Sequence, residues 1–316
     1  MTDVLVFGEP LVAFYPVGDY SIADAASIFK TWGGDTSNFV LQAARLGHSS
    51  RYLTRVGNDP FGWGFLKLWK ENNVDTSAVI VDPQRYTGLY FASFEGRQWK
   101  PSYYRSHSAA SAITTADVQE SILNEVKSLH LSGISLGMGK SAMEVGEALI
   151  SAARRNRCIV SFDINYRPPQ WANAGAASGA ISSVIGKGVD VLEITNEEMS
   201  ALGWGDDPNT LFERFPESGI IVFKQGSKGA TIMTKGKTCS VPAFSVKVKD
   251  TVGAGDSFDA AFLVSILEGK TLLESARFAA AAAALTCTGT GPLERMPILS
   301  EVKDFLMSRG GEHAGT

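Results

Sequence analysis

The chain has 316 residues with 29 Lys+Arg against 33 Asp+Glu, a formal charge of −4, and 44% of them are hydrophobic against 20% charged. That composition supports a sizeable core and excludes a disordered chain, and the missing basic surplus speaks against a nucleic-acid partner. No apolar run approaches the ~18 residues of a membrane span; the first residues lack the cationic and apolar regions of a secretory signal, and Cys158, Cys239 and Cys287 are too scattered for a disulfide framework or a metal pair, so a cytoplasmic protein without membrane or nucleic-acid partners is expected.

Along the chain, residues 4–7 form a short β-branched run that stops at Gly8-Glu9, and 12–16 add a second candidate strand. Residues 36–46 place Phe39, Val40, Ala43 and Leu46 on one helical face, with Gly47 as the stop. Residues 87–105 instead alternate with period two about Glu95-Gly96, which predicts a hairpin. Strand-like runs return at 129–131, 158–162, 189–192 and 220–223, interleaved with helical patterns at 143–154, 175–185 and 256–268. Strand alternating with helix predicts a layered α/β fold with a mostly parallel sheet and ligands at the carboxyl ends of its strands. A small antiparallel sheet from about 10–32 and 87–105 is expected to form a lid with its polar aromatics toward the site. Without repeats or a linker, residues 1–316 read as one domain, and the tail from Ser308 is expected to fray.

Two glycine motifs compete for a phosphate. The stretch from Gly133 to Gly139-Lys140-Ser141 looks like a P-loop, but five residues separate the glycines where that loop needs four. Gly137-Met138-Gly139-Lys140-Ser141-Ala142 fits a dinucleotide fingerprint, with Asp163 at the end of the next strand as a ribose acid, which keeps an NAD-dependent dehydrogenase as a rival reading. The stronger signal is Asp250-Thr251-Val252-Gly253-Ala254-Gly255-Asp256 ahead of an apolar helix. Small residues at 253–255 let N–H groups converge on an anion at a helix N-terminus, and Asp256 beside it is a candidate proton acceptor. The same stretch also fits a plain turn with Asp256 as a helix cap.

This stretch closely resembles the C-terminal signature of the ribokinase-like (PfkB-type) carbohydrate kinases, and Trp32-Gly33-Gly34-Asp35-Thr36-Ser37-Asn38 resembles their N-terminal double-glycine signature. Arg55-Val56-Gly57-Asn58-Asp59-Pro60-Phe61-Gly62 is similar to another of their stretches, and the likeness runs from about Val4 to Pro297. It implies a ribokinase-like three-layer sandwich with a small β-sheet lid. Asp256 would be the catalytic base and Gly253, Ala254 and Gly255 the anion hole. Gly34, Asp35 and Asn38 would bind the sugar. Lys224, Gly226 and Gly229 would lie on the nucleotide side with Asn165 and Asn196, and ATP, Mg2+ and a monovalent cation would be the cofactors. The family's Asn-x-x-Glu motif, associated with magnesium, falls on Asn196-Glu197-Glu198-Met199, where Met199 stands for the glutamate and Glu197 or Glu198 is left as a substitute; no metal ligand is assigned.

Tyr90, Tyr103-Tyr104-Arg105 and Asp163-Ile164-Asn165-Tyr166-Arg167 resemble the 2-keto-3-deoxygluconate kinase branch. That likeness implies an acidic sugar held by Arg105, Arg167, Tyr90 and Tyr103, and a paired guanidinium fork suits a carboxylate. The expected reaction is transfer of the ATP γ-phosphoryl to the terminal hydroxyl of that sugar acid. A neutral-sugar kinase such as a fructokinase and a sugar-sensing protein are the other readings. A homo-oligomer formed through the lid is expected.

Overall fold

Continuous apolar strands need cover on both faces, and the chain supplies it. The computed structural model describes residues 1–18, 21–92, 94–95, 98–99 and 101–309. Its strands are β1 (Thr2–Phe7), β2 (Leu11–Pro16), β3 (Ile28–Gly33), β4 (Ser50–Gly57), β5 (Val79–Asp82), β6 (Leu89–Phe91), β7 (Phe94–Glu95), β8 (Gln98–Trp99), β9 (Ser102–Tyr104), β10 (Val126–Ser132), β11 (Ile159–Asp163), β12 (Val191–Thr195), β13 (Ile220–Lys224), β14 (Ala230–Met233) and β15 (Thr238–Val241). The α-helices are α1 (Asp35–Arg45), α2 (Pro60–Glu71), α3 (Gly133–Leu136), α4 (Lys140–Arg155), α5 (Ala174–Ile185), α6 (Asn196–Ala201), α7 (Leu211–Arg214), α8 (Ala254–Leu267), α9 (Leu272–Thr286) and α10 (Leu299–Ser308).

Nine strands form the main sheet in the order β15-β14-β13-β12-β11-β10-β1-β4-β5. All its pairings are parallel except β13–β14 and β14–β15. In β1, Val4 and Val6 join one core with Phe39 and Val40 of α1 and Phe258 and Phe262 of α8. Leu5 and Phe7 join the opposite core with Val145 and Leu149 of α4 and Ile181 of α5. Period-two alternation inside an unbroken apolar run thus sorts side chains between two helical layers, and the result is the expected ribokinase-like three-layer α/β arrangement.

The second sheet has the order β3-β2-β6-β9 and comes from the two segments read as a lid. It is mixed rather than wholly antiparallel, because β2 and β6 run parallel. The expected hairpin is present: β6 and β9 pair with Tyr90 opposite Tyr103, and Phe94 of β7 lies opposite Trp99 of β8. Its turn at Glu95-Gly96 falls at Gly96, outside the described residues, as does the tail beyond Arg309. Asp59 braces this sheet to the main one. It accepts from Phe61 N and Gly62 N at the start of α2 and from Thr87 N at 2.8 Å. No helix is long and apolar enough to cross a membrane among the described residues.

Candidate active site

Helices α1 and α8 both begin at the carboxyl edge of the main sheet, and a glycine makes each start possible. Gly34 has φ 92°, and a Cβ there would lie 2.4 Å from the Glu9 carbonyl oxygen, so only glycine lets α1 start this close to the chain leaving β1. Gly253 has φ 83° and puts Pro292 where a Cβ would be, at 2.5 Å. Among the described residues no side chain caps α8, which begins at Ala254; Ala254 N donates to the Thr251 carbonyl oxygen at 3.2 Å, which leaves the N–H groups of Gly255 and Asp256 for a ligand. Asp250 shapes this loop by accepting from Val252 N at 3.1 Å and Gly291 N at 2.8 Å.

The helices meet where Asn38 Nδ2 donates to Asp256 Oδ2 at 2.7 Å. Asp35, one turn before Asn38, accepts from Thr36 N, from Asn165 Nδ2 at 3.0 Å and from the Ser132 hydroxyl. Asn165 reaches it from a left-handed backbone, φ 37°. Asp163, at the end of β11, completes the group. Burial, then the charges of Asp35 and Asp163, push the Asp256 carboxyl up to about 7. Burial and Asp163 likewise push Asp35 up against its hydrogen bonds. A carboxylate near neutrality beside uncapped helix amides can take a proton while an anion is held next to it.

Lys224 is held by two carboxylates. Its ammonium donates to Asp163 Oδ1 at 3.0 Å and to both oxygens of Asp259, at 2.9 and 2.8 Å. These buried carboxylates hold its pKa well above the usual lysine value despite its burial. Gly226 (φ 57°) and Gly229 (φ 101°) follow β13 as expected, and a Cβ on Gly229 would lie 2.0 Å from the Val241 carbonyl oxygen. Asn196 opens α6 with an exposed side chain at the same sheet edge. Met199 is fully buried in the core, and Glu197 is exposed. Glu198 has both oxygens taken, one by Tyr166 N and the other by Thr195 N, each at 2.9 Å.

Toward the small sheet, the arginines are not equivalent. Arg105 ion-pairs with the fully buried Glu9 at 2.5 Å and donates to the Ile134 carbonyl oxygen at 3.0 Å. Its Nη1 is buried without a partner among the described residues. Arg105 therefore offers one nitrogen, Nη1, rather than the paired nitrogens of the expected fork. Arg167 donates to the Tyr166 carbonyl oxygen at 3.0 Å, lies 3.8 Å from Glu198 and is 40% exposed. Tyr103 is drawn to both: burial pushes its hydroxyl up, while Arg167 and Arg105 pull it back, Arg167 through a hydrogen bond. The Tyr90 ring lies 5.8 Å from that of Tyr103, and its hydroxyl is 3.4 Å from that of Tyr15.

Glu9, Ser132, Glu193 and Asp259 escaped sequence reasoning. Glu193 and Asp259 had a signal, a lone acid inside an apolar strand and a second acid inside an apolar helix. The rival dinucleotide fingerprint is closed. A Cβ on Gly137 would lie 2.3 Å from Gln170 Oε1, and Asp163 is ion-paired with Lys224. Gly137 serves packing, whereas Gly139, with φ 134° and open space where a Cβ would be, serves the backbone turn ahead of α4.

Comparison with known proteins agrees with this geometry. The profile of the pfkB family carbohydrate kinases matches residues 1–299. The chain is 31% identical over 312 residues to a 2-dehydro-3-deoxygluconokinase of Thermoproteus tenax, covering 97% of this chain and 94% of that one. It is 29% identical over 315 residues to fructokinase-2 of Zea mays, covering 96% and 93%. A sugar kinase of Pyrococcus horikoshii, solved in complex with ATP, superposes with a TM-score of 0.85 at 26% identity over 96% of this chain and 100% of that one. A helix start with free amides, a carboxylate poised near neutrality beside it and a match over nearly the whole length together place this chain in the pfkB family of carbohydrate kinases, the phosphotransferases that act on sugars.

Proposed function

We propose that this kinase transfers the γ-phosphoryl of ATP to the terminal hydroxyl of a sugar acid, with 2-keto-3-deoxygluconate, giving the 6-phosphate, as the first substrate to test. The observation that carries the acid-sugar reading is the corner where Arg167 bonds Tyr103 and Arg105 keeps a buried N–H in hand. A carboxylate entering there meets two cations and an unsatisfied donor, a charge-assisted site. Asp256 would take the hydroxyl proton, and Asn38 Nδ2 at 2.7 Å would fix the direction of its carboxylate. The first amides of α8 would bear the charge on the moving phosphoryl group. Asp35, oriented by Ser132 and Asn165, would bind sugar hydroxyls on the same side.

ATP would lie along Gly253–Gly255 with its base toward the Gly226–Gly229 loop and Asn196. Mg2+ fits as a passenger of the triphosphate rather than as an ion caged by side chains. Among the described residues no cluster of metal-ligating side chains converges, and Glu198 is committed to backbone N–H groups. Bound there, Mg2+ would neutralise phosphate charge. The small sheet would close over the sugar as a lid. Its outer face, with Phe91 stacked 5.2 Å from Phe14 and Tyr104 65% exposed, suits pairing with a second copy.

A neutral-sugar reading has one observation in its favour: Glu9 already neutralises much of Arg105. ADP release measured across sugar acids and neutral sugars separates the two. Preference for 2-keto-3-deoxygluconate supports the acid reading, and preference for fructose over every acid ends it.

A further inference from the structure

The start of α8 carries the proposed chemistry, yet little that is directional holds it. The helix is packed through Phe258, Ala260, Ala261, Phe262 and Leu263, all buried, and apolar contact resists removal more than small slides or rotations. Directional bonds come at three points. Asn38 meets Asp256 on the ligand side, Ser257 Oγ donates to Gln42 at 2.6 Å and meets Thr286 Oγ1 at 2.9 Å, and Asp259, one turn after Asp256, takes two bonds from Lys224. Lys224 sits at the end of β13 and also grips Asp163 at the end of β11, so one ammonium ties the helix to two strands. It lies directly under the anion loop, since a Cβ on Gly255 would be 3.9 Å from its Nζ.

This clamp belongs to a longer buried network on one face of the sheet. Burial, then the charge of Glu193 on β12, push the Asp259 carboxyl well up. Ser161 donates to Glu193 at 3.2 Å, and His130 meets Ser161 at 3.0 Å. Asp259, Glu193 and His130 are each no more than 2% exposed. An apolar core would fill this space without the desolvation cost of charges, so stability alone does not account for them.

We propose that Lys224 is a positioning residue for phosphoryl transfer: by clamping Asp259 to Asp163 it fixes the first turn of α8 over the strand ends, and so holds Asp256 and the anion-binding amides at the transfer point. It acts through Asp259 and touches no substrate. A small displacement of reacting groups is enough to cost rate, so loss of the clamp falls on turnover rather than on binding.

The test uses the intact enzyme with whichever sugar the wild type phosphorylates. Asp259→Asn keeps the shape and leaves Lys224 paired with Asp163, so it is the variant that folds. Its kcat should fall by ~10-fold or more, with both KM values within ~threefold of wild type. Lys224→Met strands buried carboxylates and is read per folded molecule by circular dichroism; Lys224→Arg should recover part of the turnover. The double variant Lys224→Met/Asp259→Asn should be no slower than the slower single, because both remove one clamp. The groups facing Asp256 are Asn38 and Asp35 from α1, Asp163 from β11 and Lys224 from β13. Removing Lys224 should therefore move the rise of kcat to higher pH, and Asp259→Asn, which keeps the ammonium, should not.

Normal turnover in Asp259→Asn overturns the proposal. A tenfold or larger rise in KM for ATP in Lys224→Met, with a fall in Asp259→Asn, also overturns it, since it makes Lys224 a direct phosphate ligand. The inference rests on Asp256 as the proton acceptor, and Asp256→Asn run in parallel separates the two failures. An active Asp256→Asn removes the base, whereas an inactive one beside a normal Asp259→Asn removes only the clamp.

Discussion

The two halves of the site differ in how far their charged side chains are already paired. Around Asp256 the charged groups have partners inside the protein: Asn38 holds Asp256, Ser132 and Asn165 hold Asp35, and Lys224 lies between Asp163 and Asp259. Toward the small sheet the pairing among the described residues is incomplete, with Nη1 of Arg105 unpartnered and Arg167 40% exposed. Fixed dipoles need no reorganisation during reaction, so the satisfied half suits a step that kinases of this family share. Donors held in reserve let a few side chains decide the substrate.

The largest effect that would break this contrast lies in the satisfied half. Ala254→Asp puts a carboxylate among the amides at the start of α8 and should abolish ATP binding while the circular dichroism spectrum stays native. Retained binding by isothermal titration would move the triphosphate elsewhere. Asp256→Asn keeps the Asn38 contact and loses the proton acceptor, so kcat should fall by ~100-fold or more with ATP affinity near wild type. Near-normal turnover removes Asp256 from the mechanism.

In the reserve half the effects are smaller and confined to the sugar. Arg167→Ala should raise KM for the sugar acid by roughly tenfold to a hundredfold, about 1.5–3 kcal/mol, and leave KM for ATP unchanged. Arg167→Lys should recover part of that, since an ammonium makes no fork. Arg105→Ala should lower Tm as well as sugar affinity, because it leaves Glu9 buried without its cation. If both variants lose ATP rather than sugar affinity, the acid-binding corner is misplaced.

The smallest effect is thermodynamic. Asp256 is raised from 3.8 to about 7 by folding. Between those values the folded state keeps a proton that the unfolded chain has lost. Its contribution to stability is therefore whole below pH ~4 and is lost as pH rises through about 7. Asp256→Asn should match wild type in Tm near pH 4 and exceed it by ~3 °C or more at pH 8. A constant difference across that range would contradict the buried charge.

Much of the fold was legible in the sequence, because apolar strands with covered faces and helices with glycine stops write local patterns. The carboxyl-edge placement of Asp35, Asn38 and Asp256 followed from their positions at helix starts. What local pattern did not carry is cross-chain pairing. Lys224 read as a nucleotide residue because its neighbours Gly226 and Gly229 are loop glycines, yet its side chain turns back to Asp259, 35 residues on. Arg105 read as a forked cation for the sugar acid because nothing nearby in sequence names Glu9 as its partner. The hairpin of β14 and β15 was missed since Ala-Thr-Ile-Met and Thr-Cys-Ser-Val are short and without clear alternation. The parallel pairing of β2 with β6 joins segments too far apart for any local signal.

The crowded charge at Asp256 is the centre of this account, and a titration of its carboxyl carbon reads it without any assay. With 13C-labelled aspartate in the wild type, and Asp256→Asn to assign the signal, the account predicts a midpoint of about 7. A midpoint near the ordinary value of 3.8 would mean that burial and Asp35 do not hold the proton there, and Asp256 would lose its standing as a base tuned to neutral pH.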